Sequence, residues 1–218
     1  MMNAMQVNVK AGNYIVAVSG GVDSVLLLHL LVKQKQGTVN SGQSSGTDHS
    51  PQIPENSSHS SKHTTQSSLI VAHFDHGIRP DSEADRLFVE KLARSYGLPF
   101  EYKREELGEN ASEALARERR YAFLEEVRQI YHADAIITAH HADDVLETAC
   151  INLLRGTGRK GIASLQNKST ILRPLLGFSK LQIIEEATRH KLKWREDETN
   201  LDTKYLRNSI RAKLAQAD

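Results

Sequence analysis

At 218 residues with one cysteine and a net charge of +1, the chain has room for one α/β domain with a small C-terminal appendage. It excludes a disulfide framework or a multi-cysteine metal centre within one chain. Residues 1–10 lack a signal-peptide core and no later run is apolar enough to span a bilayer, so a soluble, cytoplasmic chain with no membrane partner is expected.

The charge divides unevenly. Residues 1–150 hold 14 Lys+Arg against 20 Asp+Glu, a net of −6, and residues 151–218 hold 14 against 7, a net of +7. A basic C-terminal third suits a nucleic acid, and it suits solvated helices equally well.

Taken in chain order, Tyr14–Val18 is a short β-rich apolar run, fit for a buried parallel strand. Val25–Leu28 and Leu30–Leu31 follow the glycines as a buried helix. Residues 34–68 are rich in Ser, Thr, Gln, His and Gly and cannot bury enough surface to offset their ordering, so a disordered insertion is expected there. Leu69–Phe74 is a second strand. Ser82–Tyr96 has helical spacing with Gly97 placed to end it. Phe100–Lys103 is a weak strand, and Ala111–Tyr131 is a charged helix with Ser112 as cap. Ala135–Ala139 is a strand, 144–154 a helix, and Thr170–Leu176 a strand broken by Pro174. Ser179–His190 and Tyr205–Leu214 read as the last helices. Alternating strands and helices predict a doubly wound parallel sheet with helices on both faces, its ligand beyond the carboxyl ends of the strands.

Three segments that follow strands carry candidate chemistry. Ser19-Gly20-Gly21-Val22-Asp23-Ser24 joins a strand to a helix. Its glycines allow a tight turn, its N–H groups and the helix dipole favour an anion, and Ser19 and Ser24 offer hydroxyls. It is not a Walker loop, and a plain capped turn is the bland alternative. Asp144 and Glu147, three apart on one helix face beside Asp143, suit Mg²⁺ or an amine, or simply complement the helix dipole. His140 and His141 lie just upstream. Arg155, Arg159 and Lys160 in a Gly-rich stretch, and Arg207 and Arg211 near the C-terminus, are suited to phosphate, or to solvent.

In this order the segments resemble the PP-loop (N-type) ATP pyrophosphatases, and within them the tRNA(Ile)-lysidine synthetase family. The narrower likeness rests on FDHGIR at 74–79, EALARERRY at 113–121, HHADDVLET at 140–148, NLLRGTGRKG at 152–161, RPLL at 173–176 and the stretch 196–211. The resemblance implies a Rossmann-like, five-stranded parallel sheet of the adenine nucleotide alpha hydrolase type, with residues 1–218 as the catalytic domain. It implies ATP and Mg²⁺, isoleucine tRNA and free L-lysine. Oxygen 2 of the wobble cytidine is adenylated, and the lysine amine then displaces AMP to form lysidine. By matching position, Ser19, Gly20, Gly21, Val22, Asp23 and Ser24 would bind ATP, with His73 and Phe74 by the adenine. Asp23 and Asp144 would be metal ligands, and Asp144 and Glu147 would together complete the metal and lysine site. His140, Arg120 and Arg207 would contact phosphates or the adenylated intermediate, with Arg211 an alternative to Arg207.

The chain ends at Asp218, where longer relatives continue into C-terminal tRNA-binding domains, which are expected to be absent here. Oligomeric state stays open, a homodimer among the options. A PP-loop tRNA thiolase would share the ATP site, but such enzymes usually use several cysteines and Cys150 is alone. An amidotransferase-type synthetase lacks its glutaminase cysteine. A non-catalytic nucleotide-binding module is the remaining rival, and the acidic cluster with its arginines argues against it.

Overall fold

A computed structural model describes residues 5–40, 68–77, 82–108, 112–154, 156, 170–196 and 210. In chain order the elements are β1 (Asn13–Ala17), α1 (Val22–Asn40), β2 (Ser68–Asp75), α2 (Ser82–Ser95) and β3 (Phe100–Arg104). They continue with α3 (Glu113–Ile130), β4 (Ala135–Ile137), α4 (Ala142–Leu154), β5 (Ile171–Leu172) and α5 (Lys180–Arg189). The five strands form one parallel sheet in the order β3-β2-β1-β4-β5.

Strand side chains alternate between faces, and the two cores follow that alternation. Val16, Leu69, Val71 and Ile137 face Leu26 and Leu27 of α1, Val89 and Ala93 of α2 and Ile183 and Ala187 of α5. Ile15, Ile70, Ala72, Phe74 and Ile136 face Phe123, Leu124 and Val127 of α3. Helices therefore cover both faces, as expected for a doubly wound sheet. The chain reverses direction across the sheet between β1 and β4, and the crevice beyond their carboxyl ends is where such a sheet binds ligands.

Local chemistry sets the element ends. Gly97 takes φ +65 and its N–H bonds Arg94 O, while Leu98 N–H bonds Ala93 O, a glycine stop for α2. Ser112 caps α3 by accepting from Leu115 N–H at 3.2 Å, so the helix starts after Ser112 and not at Ala111. Ser179 and Gln182 form a reciprocal capping box at the start of α5.

Two expectations are corrected. The last strand keeps only Ile171–Leu172 of the predicted 170–176. Pro174 has no N–H for a ladder, and the chain turns there with Leu176 N–H on Arg173 O and fully buried Leu175 as its anchor. The predicted insertion also begins too early. α1 runs on to Asn40, and the Gln34 side-chain amide donates to Val9 O at 2.7 Å; residues 41–67 lie outside the described residues. So does the helix predicted for 205–214, apart from Ile210, which is helical and buried. No helix among the described residues is long and apolar enough to cross a membrane.

Candidate functional site

The glycine loop is built at the end of β1. Val18 N–H still bonds Ala72 O at 3.0 Å, and the chain then turns at Gly20, φ +97. A Cβ on Gly20 would meet Val89 and Phe88 at 3.5 and 3.6 Å, ordinary contacts, so the left-handed φ and not the space asks for glycine. Among the described residues a Cβ on Gly21 would meet Ser19 Oγ alone, at 3.6 Å. That side of the turn is open for close approach by a ligand. Buried Ser24 serves the loop itself: its hydroxyl donates to Gly21 O at 2.9 Å, and Ser19 N–H donates to it at 3.2 Å. The Val22 side chain belongs to the core, leaving its backbone as the part that can meet a phosphate.

The N-termini of α1, α4 and α5 converge beside this loop, each with its positive dipole end inward. Lys180, the first residue of α5, places Nζ 2.6 and 2.8 Å from the two carboxylate oxygens of Asp23. Its backbone N–H reaches Asp143 at 3.3 Å. Asp144 accepts from the His141 N–H at 3.0 Å. Buried His141 joins the two helices, with Nε2 3.9 Å from Asp23 Oδ1 and 3.6 Å from Asp144 Oδ2. Its Nδ1 has no hydrogen-bond partner among the described residues. Ala142 N–H bonds Phe178 O, which ties α4 to the turn before α5. Two carboxylates flanking one imidazole nitrogen, at two helix starts, give the hard oxygen donors that Mg²⁺ takes. The two carboxylates suit that ion in chemistry, although among the described residues no group of three or more His, Cys, Asp and Glu is gathered as a metal site.

His140 points into a cationic setting. Its Nδ1 lies 2.8 Å from Thr138 Oγ1. Burial, with Arg120, Arg173 and Arg117 adding to it and Asp144 opposing, pushes its pKa down to about 3. The ring is therefore neutral at physiological pH and offers a hydrogen bond without adding charge. Arg117 and Arg120 flank the Tyr121 ring from α3, 4.9 and 5.5 Å from its centre. Arg173 is 3% exposed.

Residues 1–218 match the family model of the PP-loop domain. The chain belongs to that family. Proteins named tRNA(Ile)-lysidine synthase are similar to it: that of Thermotoga maritima is 34% identical over 207 residues, 92% of this chain and 44% of that protein. That of Haemophilus influenzae is 32% identical over 92% of this chain and 42% of its own length. That of Thermus thermophilus is 43% identical over 150 residues, 65% of this chain and 29% of its own. The chain thus spans less than half the length of these curated relatives. Among solved structures, a U34-tRNA thiolase from Methanococcus maripaludis with its 4Fe-4S cluster superposes with a TM-score of 0.64 at 19% identity. That match covers 97% of this chain and 67% of the thiolase, and it shows the shared fold.

In the PP-loop frame the expected site residues separate into groups. Ser19, Gly20, Gly21, Val22, Asp23 and Ser24 form the loop, and Asp144 and His140 stand across the crevice on the β4 side. Arg120 comes within electrostatic reach of His140. Glu147 follows Asp144 by one turn but is 1% exposed, a carboxylate set inside the protein and not on its surface.

His73 and Phe74 do not share a surface. The His73 Nδ1–H donates to Val18 O at 2.8 Å and its ring stacks on Tyr102, whereas Phe74 lies on the opposite face against Phe123. Successive strand residues point opposite ways, so only one of the pair can line any one pocket through its side chain. Arg207, with Arg211, Arg155, Arg159 and Lys160, lies outside the described residues.

Two further residues join the site: Lys180, which no motif singled out, and Arg173, which stood in the RPLL segment without a role. Lys180 left a sequence signal, because a cation in the first turn of a helix runs against its dipole. Arg173 left a weaker one, an arginine placed immediately after a strand and before Pro174.

Proposed function

We propose that this chain carries the catalytic chemistry of a tRNA(Ile)-lysidine synthase, an ATP-dependent ligase acting on the wobble cytidine of isoleucine tRNA in the cytoplasm. The observation that carries the reading is the meeting of three helix N-termini, with Asp23 and Asp144, beside an open glycine turn. Such a place suits a triphosphate and its counter-ion. The identity to relatives of that name along 92% of the chain supports the same reading.

The glycine-loop amides hold the triphosphate with its α-phosphorus exposed. Oxygen 2 of the cytidine attacks that phosphorus, the new O–P bond forms, and the bond to the β-phosphate oxygen breaks to release pyrophosphate. Asp23 and Asp144 would hold Mg²⁺, which neutralises charge building on the phosphate oxygens. Arg120, Arg173 and Arg207 supply fixed positive charge around the adenylated intermediate. The amine of free lysine then attacks carbon 2, the C–O bond breaks, and AMP leaves. Free lysine is protonated at neutral pH, so the acidic pair Asp144 and Glu147 is assigned to hold the ammonium, whose proton passes to water, while neutral His140 contacts the phosphates or the adenylated intermediate.

The test is incubation with ATP, Mg²⁺, lysine and isoleucine tRNA, with the anticodon nucleoside analysed by mass. Conversion of cytidine to lysidine is expected. Pyrophosphate release without lysine incorporation would point to another PP-loop adenylating enzyme, and no nucleotide turnover would leave a nucleotide-binding module.

A further inference from the structure

Lys180 is unexplained by the reading above. It stands at the first position of α5, against the helix dipole, where Asp, Glu or a neutral residue is favoured. Yet its ammonium spans both oxygens of Asp23, at 2.6 and 2.8 Å, and so takes up the side of the carboxylate that a divalent ion would use.

We infer that Lys180 is a resident cation that occupies the metal position on Asp23 while no nucleotide is bound, and that it transfers to the phosphates when ATP and metal enter together. This rests on the proposed role of Asp23 as a Mg²⁺ ligand. With Asp23 neutralised, Asp144 is the remaining carboxylate near His141 Nε2 among the described residues, and a single carboxylate is a weak site for Mg²⁺. The metal alone therefore binds poorly. An incoming triphosphate changes the balance, because it brings its own metal-binding oxygens and offers the ammonium a new partner.

The geometry permits the exchange. The base of Lys180 is fixed by the Ser179–Gln182 capping box and by its N–H on Asp143, while a lysine's four-carbon stem has rotatable bonds that let the head group change partners. Lysine suits this better than arginine, since a point charge changes partners more easily than a planar fork. The pair is partly open to solvent, 38% for the Lys180 side chain and 26% for that of Asp23, so the head group has room to leave.

The experiment is Mn²⁺ binding to the nucleotide-free protein, followed by electron paramagnetic resonance, for the wild type, Lys180→Met, Lys180→Gln and Asp23→Asn, each checked by thermal melting. Both Lys180 variants are expected to bind Mn²⁺ about tenfold more tightly, because removal of a like charge at contact range favours the ion. Their affinity for ATP without metal is expected to fall by a similar factor. An unchanged Mn²⁺ affinity in whichever Lys180 variant folds would overturn the placeholder role. Failure of the underlying reading looks different: Asp23→Asn would then bind Mn²⁺ in the presence of ATP as the wild type does.

Discussion

The backbone N–H of Arg195 donates to Gly20 O at 3.0 Å, while the Arg195 side chain pairs with Asp85 of α2. The segment after α5 thus lies over the glycine turn, and Trp194 packs into the same core beneath it. Fixing the Gly20 carbonyl fixes the plane of the Gly20–Gly21 peptide, and so the direction of the Gly21 N–H. Asp85→Ala is expected to weaken ATP binding and to cost about 1–2 kcal/mol of stability, modest because Arg195 is partly exposed. Nucleotide titration and urea unfolding measure both. Unaltered ATP affinity would mean that the strap does not orient the loop.

Asp23→Asn keeps the shape of the side chain and removes its charge. Pyrophosphate release is expected to fall at least about a hundredfold, since the metal loses a ligand where charge develops. The melting temperature should move little, because the Lys180 pair is solvent-exposed in part and such pairs contribute little. Near-normal release at ordinary Mg²⁺ would remove Asp23 from the metal site.

The boundary of the 34–68 segment is testable by excision. Replacing residues 41–67 with a flexible linker of about ten residues should leave melting and ATP affinity nearly unchanged, as loop length enters only logarithmically. Starting the excision at Gln34 should cost about 1 kcal/mol more, because the Gln34 amide bonds to both the N–H and the carbonyl of Val9 are lost. Equal stability of the two deletions would show that those bonds contribute nothing.

A pH effect arises far from the nucleotide crevice, where His29 of α1 meets Tyr96, Lys33, and the α5 side of the core through His190 and Glu186. Burial holds the His29 pKa below its ordinary value, with His190 and Lys33 adding to the effect and Glu186 opposing it. Its Nε2 is buried without a hydrogen-bond partner among the described residues. The unfolded chain takes a proton here at about pH 6.5 and the folded chain only at lower pH. Stability from this site is therefore complete above about pH 6.5 and lost as the pH falls toward the folded value. Urea midpoints for the wild type should drop on acidification, and His29→Gln should flatten that drop. An equal slope in the variant would assign the acid sensitivity elsewhere.

If the basic C-terminal third holds the tRNA, the triple substitution Arg155→Ala/Arg159→Ala/Lys160→Ala should lower the log–log salt slope of tRNA affinity by about three units. ATP affinity should be retained, since the triphosphate is assigned to the glycine loop. An unchanged slope would place the tRNA on another surface, and lost ATP binding would give these cations to the nucleotide site.

Sequence alone determined the order of strands and helices, because apolar runs such as Tyr14–Val18 and caps such as Ser112 and Gly97 are local signals read within one or two turns. It also determined that the glycine loop and the His140–Glu147 segment follow strands, hence lie at one sheet edge. Element ends were less legible: Gln34–Asn40 looks like linker by composition, yet continues the helix once Gln34 finds Val9. Tertiary structure alone decided which groups meet. Lys180 and Asp23 are 157 residues apart, and no periodicity pairs a cation on one helix with a carboxylate on another. The same holds for Arg195 on Gly20 and for the burial, beside arginines, that keeps His140 neutral. Strand alternation, fixed only when helices cover both faces, sends His73 to the α2 side and Phe74 to the α3 side. Local pattern specifies the elements, and packing specifies the electrostatics of the crevice between them.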